Sequence, residues 1–325
     1  MKSRLVACLC ISLVMSACAS VNPPQQTSVS TTAPTSNLTQ EPTTQGHIQD
    51  ARLNEISGLA ASNYRRDFLW ALNDSGNAPQ LYRLNTAAQL IDVWDLDVNN
   101  RDWEAMASVV INGTSYLLVA ETGDNLQVHD ESQVHIFLEP DVSASSSAPL
   151  KPVSTLRFQY EGGPRNVEAM GVDNNEIVFL TKERLVRGKS VASQIFSLPL
   201  TLQPSTQTLM ARNVGSLRLP PRGFKIGILT RLLNIDPVQP TDMSISADGQ
   251  HAYVLNYVQV LHYRKNANES WPSAFSKKPK VLYQHGLRQA EALTANALGE
   301  VWLTSEKNSP PLIGFKAFDP PIPFN

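Results

Sequence analysis

Five short segments of this chain repeat nearly the same pattern, and this repetition limits the fold more than any other feature. The second residue of each segment is Ser, Thr or Glu, and the fourth is Leu or Met. The segments span residues 56–60, 103–107, 167–171, 240–244 and 290–294. Each leads through a short loop into a second apolar run that stops at a polar residue. A pattern that recurs at this spacing indicates a repeat architecture.

The apolar runs are short and rich in β-branched and aromatic residues, which is typical of strands. Tight-turn pairs separate the first and second runs of three repeats: Asn112-Gly113, Asn174-Asn175 and Asp248-Gly249. These residue types tolerate positive φ, so the two runs are predicted to form a hairpin. Later runs supply a third and a fourth strand. Four-stranded repeats of this length predict an all-β, five-bladed β-propeller. A six-bladed propeller is the alternative, with another blade between Glu168 and Thr241.

The last repeat lacks a fourth strand of its own. We expect residues 47–53 to pair in the same blade as residues 312–317, because this closure would join the chain ends and cover an open sheet edge.

The N-terminus predicts export and a lipid anchor. A short basic start and an apolar stretch too short to span a bilayer read as a signal peptide over residues 1–17. Ser16-Ala17-Cys18 resembles a bacterial lipobox, which implies acylation of Cys18, including palmitate, and Ala19 at the next position implies the outer membrane. The protein is thus expected at the periplasmic side of the outer membrane. An ordinary cleaved signal peptide is the alternative.

Composition divides the rest of the chain. Residues 18–46 comprise Cys18 and a segment rich in Ser, Thr, Pro and Gln, predicted to be a disordered tether, and residues 47–325 form the propeller domain. After removal of Cys8 and Cys10 with the signal and acylation of Cys18, no cysteine remains for a disulfide or a zinc site. A net charge of −2 gives no support for nucleic-acid binding, and a monomer is expected.

A ring of such repeats would bring the second residue of every segment towards one axis. Carboxylates converging there would repel one another, so a cation or protons must compensate. Oxygen-only ligands favour Ca²⁺ over zinc or copper. The expected ligands are Ser57, Glu104, Glu168, Thr241 and Glu291, with Asp242 as an alternative donor in the fourth repeat. Alternatively, the glutamates hydrogen-bond to the neighbouring blade and brace the ring.

Charged residues at the strand ends are predicted to surround one mouth of the channel as a ligand-binding rim. They are Asp74, Glu121, Asp124, Lys182, Glu183, Arg101, Arg165, Arg288 and Glu306. A network of salt bridges is the alternative for any one of them. A basic segment within residues 216–236 is expected to hang over the same mouth and to favour an anionic ligand.

Several short segments of the sequence resemble segments of known proteins. They are Asp102-Trp103-Glu104-Ala105-Met106, Glu121-Thr122-Gly123-Asp124-Asn125, Asn166-Val167-Glu168-Ala169-Met170, Thr181-Lys182-Glu183, Thr241-Asp242-Met243-Ser244 and Gln289-Ala290-Glu291-Ala292-Leu293. With them the chain resembles uncharacterised bacterial exported β-propeller lipoproteins and, more loosely, phytase-like esterase domains. By the order of its axial residues it is also similar to calcium-activated nucleotidases (apyrases), five-bladed propellers, which implies a central calcium ion. The nucleotide-contacting motifs of that family are absent.

Two functions follow from these features. The first is a binding or scaffold module of the cell envelope, whose partner is a small anionic ligand or an envelope protein. The second is a calcium-dependent phosphoesterase, similar to a nucleotidase, acting on an anionic substrate at the mouth. A scaffold requires a large exposed apolar patch, whereas a hydrolase requires a polar pocket with a perturbed acid or base. A serine triad is not expected, since no Gly-x-Ser-x-Gly elbow occurs.

Overall fold

The structure, a computed structural model, describes residues 38–141, 148–203, 207–219 and 235–318. The predicted signal peptide, Cys18, the tether as far as residue 37 and the basic stretch over residues 220–234 lie outside the described residues.

Strands make up almost all of the regular structure. In chain order they are β1 (Gln40–His47), β2 (Ile56–Ala61), β3 (Phe68–Asn73), β4 (Gln80–Asn85), β5 (Leu90–Asp95), β6 (Trp103–Ile111), β7 (Thr114–Glu121), β8 (Ser132–Leu138), β9 (Ser154–Tyr160), β10 (Val167–Asp173), β11 (Glu176–Thr181), β12 (Ser193–Pro199), β13 (Leu209–Leu217), β14 (Asp242–Ile245), β15 (His251–Leu255), β16 (Gln259–Arg264), β17 (Lys280–Gln284), β18 (Ala290–Ala295), β19 (Glu300–Ser305) and β20 (Pro311–Lys316). A short helix, α1 (Trp271–Ser276), precedes β17. In the described part of the chain, no helix has the length and apolar character needed to cross a membrane.

The strands assemble into antiparallel groups of four. Three separate sheets have the orders β2-β3-β4-β5, β14-β15-β16-β17 and β1-β20-β19-β18, and an eight-stranded sheet has the order β10-β11-β12-β13-β9-β8-β7-β6. Within the larger sheet, β13 and β9 pair in parallel over only three residue pairs, while all other neighbours are antiparallel. This parallel contact therefore joins two further groups of four through their last strands. The fold is all-β and propeller-like.

The first strand of each group lies on the inside. Strand β2 contacts β6, β6 contacts β10, β10 contacts β14, β14 contacts β18, and β18 returns to β2, so these inner strands form a closed cycle. We call the end at which they begin the mouth and the opposite end, where the hairpin turns lie, the far end. At the far end of β6, Asn112 and Gly113 have φ values of 50° and 79°, as the predicted tight turn requires.

The hydrophobic core consists of the interfaces between neighbouring groups. Trp70 and Trp94 of the first group share a cluster with Trp103, Met106 and Phe137 of the second, and the rings of Trp70 and Trp94 meet edge to face at 5.2 Å. Comparable clusters join the third group to the fourth and the first to the last. Because each sheet is covered on both faces by its neighbours, the inner strands are buried along nearly their whole length.

The ring closes through the N-terminal segment, but not through the residues predicted. Strand β1 pairs with β20, from Gln40 opposite Lys316 to His47 opposite Pro311, so the closing strand is Gln40–His47 instead of residues 47–53. It starts before residue 47, the expected beginning of the propeller domain. Its residues are polar and mostly exposed because an edge strand is held by backbone hydrogen bonds and needs little apolar surface. Residues 48–53 instead bury Ile48 and Leu53 against the first group.

Removal of β1 should destabilise the ring. Deleting residues 19–47 exposes the edge of β20 and removes its backbone hydrogen bonds, each worth about 1 kcal/mol. Urea denaturation should show a loss of at least about 2 kcal/mol relative to a control deletion of residues 19–37, which keeps β1. Equal stability of the two deletions would contradict this closure.

Candidate functional site at the mouth of the ring

A β-bulge occurs at the same position in four of the five inner strands. In β2, β6, β10 and β18, the register against the next strand skips one residue near the mouth. A bulged residue has no partner opposite it, and the bulge re-aims its side chain. The skipped residues are Ser57, Glu104, Glu168 and Glu291. The bulges thus explain how three glutamates reach one space even though they belong to separate groups of four strands.

Hydroxyl groups fix the backbone next to each of these glutamates. A Ser or Thr hydroxyl from the preceding group donates a hydrogen bond to the carbonyl oxygen of the residue just before the glutamate. The pairs are Ser57 with Trp103 (2.8 Å), Thr122 with Val167 (2.9 Å) and Thr241 with Ala290 (2.7 Å). The hydroxyl protons of Ser57 and Thr241, two of the residues expected to help hold calcium, are therefore used to brace adjacent groups.

The fourth repeat places Asp242 in a bracing role as well. Its carboxylate accepts hydrogen bonds from the backbone N–H groups of Leu293 (2.6 Å) and Met243 (2.7 Å), and the residue is fully buried. Burial raises the pKa of Asp242 well above its usual range despite these bonds. Hydrogen bonding to the neighbouring group was the alternative role expected of the glutamates. In the structure, Asp242 makes such a bond.

The three glutamates line one cavity at the mouth, with a volume of about 260 Å³. Its wall is rich in carboxylates and carries two basic side chains. The lining residues are Asp74, Glu104, Asn125, Asn166, Glu168, Lys182, Glu183, Arg184, Ile235, Asp236, Tyr257, Glu291 and Glu306.

Lys182 supplies a fixed positive charge inside this cavity. Its Nζ forms an ion pair with Glu168, lies 3.5 Å from Glu291 Oε1 and donates to the Tyr257 hydroxyl at 2.8 Å. Tyr257 in turn donates to Glu291. Burial by itself would lower the pKa of Lys182, but Glu168 and Glu291 raise it well above its usual value, so the amine stays charged. Lys182 therefore supplies Glu168 and Glu291 with a compensating positive charge, the role expected of calcium.

The carboxylates differ in protonation because only some of them contact Lys182. Burial tends to raise the pKa of Glu291, but the charge of Lys182 and hydrogen bonds from Glu306 and Tyr257 lower it. Burial and its hydrogen bond with Glu291 raise the pKa of Glu306 to about 9, so Glu306 is the protonated partner of this pair.

Burial also raises the pKa values of other acidic groups at the mouth, including Glu168, which Lys182 contacts. Burial raises the pKa of Asp74 to about 7, with further contributions from the charges of Asp102 and Glu291. Burial also raises the pKa of Asp102, and burial with the charge of Glu168 raises that of Glu104 well above its usual range. Burial raises the pKa of Glu168 to about 7, although Lys182 opposes this. The cavity thus holds several acids whose charged forms are unfavourable until positive charge is added.

The structure brings only part of the predicted rim into the cavity. Asp74, Lys182, Glu183 and Glu306 line it. Glu121 lies 3.5 Å from Arg101, while Asp124 accepts hydrogen bonds from the backbone of Val128 and His129, so these residues support the mouth loops. The remaining two arginines point elsewhere: Arg165 donates to carbonyl groups of its own loop, and Arg288 is exposed.

Polar residues two positions ahead of the glutamates were missed as site residues. They precede the strands, and the bulge at each glutamate breaks the regular alternation, so strand periodicity did not indicate that Asp102 and Asn166 approach the glutamates. Asn166 donates to Glu168 at 3.1 Å, and Asp102 lies within the acidic group beside Glu104. Tyr257 also had no signal, because it lies in the turn between β15 and β16.

Comparisons with known proteins add little about chemistry. No protein-family model matches the chain, and no curated protein does. Among solved structures, the chain is similar to the PQQ-bound aldose sugar dehydrogenase from Streptomyces coelicolor, with 10% identity, a TM-score of 0.48, and coverage of 87% of this chain and 99% of that chain. It is also similar to the calcium structure of the Trichoderma reesei family AA12 carbohydrate-active enzyme, with 12% identity, a TM-score of 0.44, and coverage of 83% and 82%. With scores this low, these likenesses carry no argument about function.

Replacement of Lys182 by Met should destabilise the protein in a pH-dependent way. Glu168 and Glu291 would lose their counter-charge, and breaking a buried ion pair costs about 3–5 kcal/mol. The loss should be largest at pH 8 and smaller at pH 5, because uncompensated buried carboxyls have raised pKa values and are neutralised as the pH falls. Urea denaturation at both pH values, with the exposed Lys278→Met variant as control, measures the effect. An equal loss at both pH values would contradict this role of Lys182.

Proposed function

We propose that this protein is an exported, lipid-anchored β-propeller of five blades that acts as a binding module of the cell envelope. The five antiparallel groups of four strands and the closed cycle of inner strands support the blade count. The basic and apolar N-terminus and the Ser16-Ala17-Cys18 junction support a lipoprotein signal over residues 1–17 and an outer-membrane location.

The mouth cavity is the proposed binding site, and calcium is its proposed cofactor. The observation that carries this proposal is the excess of buried carboxylates over cations around about 260 Å³ of space. A divalent cation would offset their repulsion, and carboxylate oxygens suit Ca²⁺. In this view the ion and Lys182 together attract a small anionic ligand, which the carboxylates alone would repel.

The position of the closing strand supports this arrangement. Strand β1 begins at the far end of the ring, where Gln40 pairs with Lys316, and Lys316 pairs in turn with Glu300 at the start of β19. The chain that leads from Cys18 therefore joins the ring opposite the mouth. An anchor at Cys18 would leave the mouth accessible to ligands or to an envelope protein.

Calcium should stabilise the folded protein. A ligand that binds only the folded state adds about 2.7 kcal/mol at a hundredfold excess over its Kd. Melting temperature should accordingly rise with CaCl₂ and fall with EDTA at pH 7.5, while NaCl at matched ionic strength serves as the control. A melting temperature indifferent to calcium and to chelator would contradict the proposal.

The anchor is tested by replacing Cys18 with Ser. Because acylation requires the thiol, the variant should shift from the membrane fraction to the soluble fraction after cell fractionation and should lose incorporation of labelled palmitate. Unchanged membrane association and processing would argue for a different mode of export.

A calcium-dependent phosphoesterase is the second candidate, favoured by one specific observation. Burial raises the pKa of Glu168 in the same cavity to about 7, which suits general acid–base catalysis near neutral pH. Calcium would polarise a phosphoryl oxygen. A panel of phosphate esters and nucleotides, assayed with calcium and with EDTA, separates this enzyme from a binding module, because only the enzyme releases phosphate in a calcium-dependent manner.

A further inference from the structure

Three carboxylates at the mouth form a group in which no member makes an ion pair with Lys182 among the described residues. Asp74, Asp102 and Glu104 each offer one oxygen, and these oxygens all lie within 4.8 Å of one another. Ca²⁺ binds oxygen ligands at about 2.3–2.6 Å, so two ligands of one ion lie at most about 5 Å apart, and the spacing of the three oxygens is compatible with a single coordination shell.

Within the described part of the chain, Glu104 is the member of this group whose carboxylate has neither a hydrogen-bond partner nor an ion-pair partner. It is 6% exposed, and its side chain lines the cavity. Among the described residues, no donor forms a hydrogen bond or an ion pair with its carboxylate, whereas Lys182 pairs with both Glu168 and Glu291. A buried carboxylate without a partner is costly, and a bound cation would remove that cost.

Gly123 leaves room for these carboxylates. A Cβ atom at this position would collide with the carboxylate of Asp102 and would lie 2.5 Å from Glu104 Oε1. A glycine, which has no side chain, therefore lies against the two acids, within the segment Glu121-Thr122-Gly123-Asp124-Asn125. The N–H group of Gly123 donates to the carbonyl oxygen of Asp102 at 3.2 Å, which holds this backbone beside the two acids.

We propose that a divalent cation, Ca²⁺ by its oxygen-only ligands, binds off the axis to Asp74, Asp102 and Glu104, and not between Glu104, Glu168 and Glu291. This inference rests on the proposed function and assigns the cation's ligands within the same cavity. Waters and an oxygen of the anionic ligand complete the 6–8 ligands that calcium takes. Lys182 keeps its place beside Glu168 and Glu291, so a bound anion would meet the ion on one side and the ammonium group on the other.

The test is calorimetric titration of the purified full-length protein with CaCl₂ alone after EDTA treatment. Glu104→Gln and Asp102→Asn each remove one charged ligand. Losing even a supporting partner of a metal ligand costs about 10–100-fold in affinity, so each variant should bind calcium at least about tenfold more weakly. Glu168→Gln is the comparison variant in the same cavity: it removes a carboxylate that Lys182 already pairs, so it should weaken calcium binding less than Glu104→Gln and Asp102→Asn do.

Melting temperatures in EDTA separate loss of the ion from loss of the fold. Glu104→Gln replaces a buried carboxyl with a neutral side chain of nearly the same shape, so the calcium-free variant should melt at or above the temperature of the wild type and should gain less from calcium. Gly123→Ala keeps all three ligands but displaces Asp102 and Glu104, and it should also weaken calcium binding. Gly286→Ala, at a position where a Cβ meets nothing, should leave it unchanged.

The outcomes distinguish this inference from the proposed function. If the wild type binds calcium and Glu168→Gln abolishes binding while Glu104→Gln and Asp102→Asn retain it, the off-axis site is wrong and the calcium-binding cavity stands. If the wild type binds no calcium, both fail.

Discussion

One irregularity of the backbone, a bulge near the start of four inner strands, determines where the acidic side chains of the cavity lie. Without it, each of Ser57, Glu104, Glu168 and Glu291 would have a partner opposite it in the ladder, and its side chain would follow the regular alternation of the sheet. The hydroxyl braces between adjacent groups then hold the carbonyl groups next to the glutamates. The same positions therefore close the ring and deliver acidic groups to the cavity.

The cost of this arrangement is electrostatic. Acids that converge in a space with low dielectric must be paired, protonated or neutralised by an ion. The cavity uses the first two solutions on one side, where Lys182 pairs with Glu168 and Glu291 and where Glu306 stays protonated. Glu104 has no hydrogen-bond or ion-pair partner among the described residues, and this difference from Glu168 and Glu291 is the reason for placing a cation beside it.

Much of the fold was predictable because it depends on local signals. The Asn112-Gly113 turn, the short apolar runs and their recurrence predicted hairpins arranged in groups of four, and the pairings confirm those hairpins. The closing strand was assigned to the wrong residues, since Gln40–His47 is held by backbone hydrogen bonds and has no apolar pattern. The residue types at the bulges also did not indicate that a bulge would form there.

For the site, the sequence predicted the meeting of Glu104, Glu168 and Glu291 but not what compensates them. Lys182 was expected at the rim, whereas it points between two of the glutamates. Asp102 was not predicted, because it precedes β6 and the bulge at Glu104 breaks the alternation that would relate the two side chains. Tyr257 was not predicted either, since its contact depends on how two separate groups are placed in the ring.

A crystal structure of the calcium-loaded protein tests the central claim most directly. We expect an ion bound at about 2.4 Å by oxygens of Asp74, Asp102 and Glu104, with Lys182 still paired to Glu168. An ion on the axis between the three glutamates with Lys182 displaced, or a cavity that holds only water at saturating calcium, would contradict it.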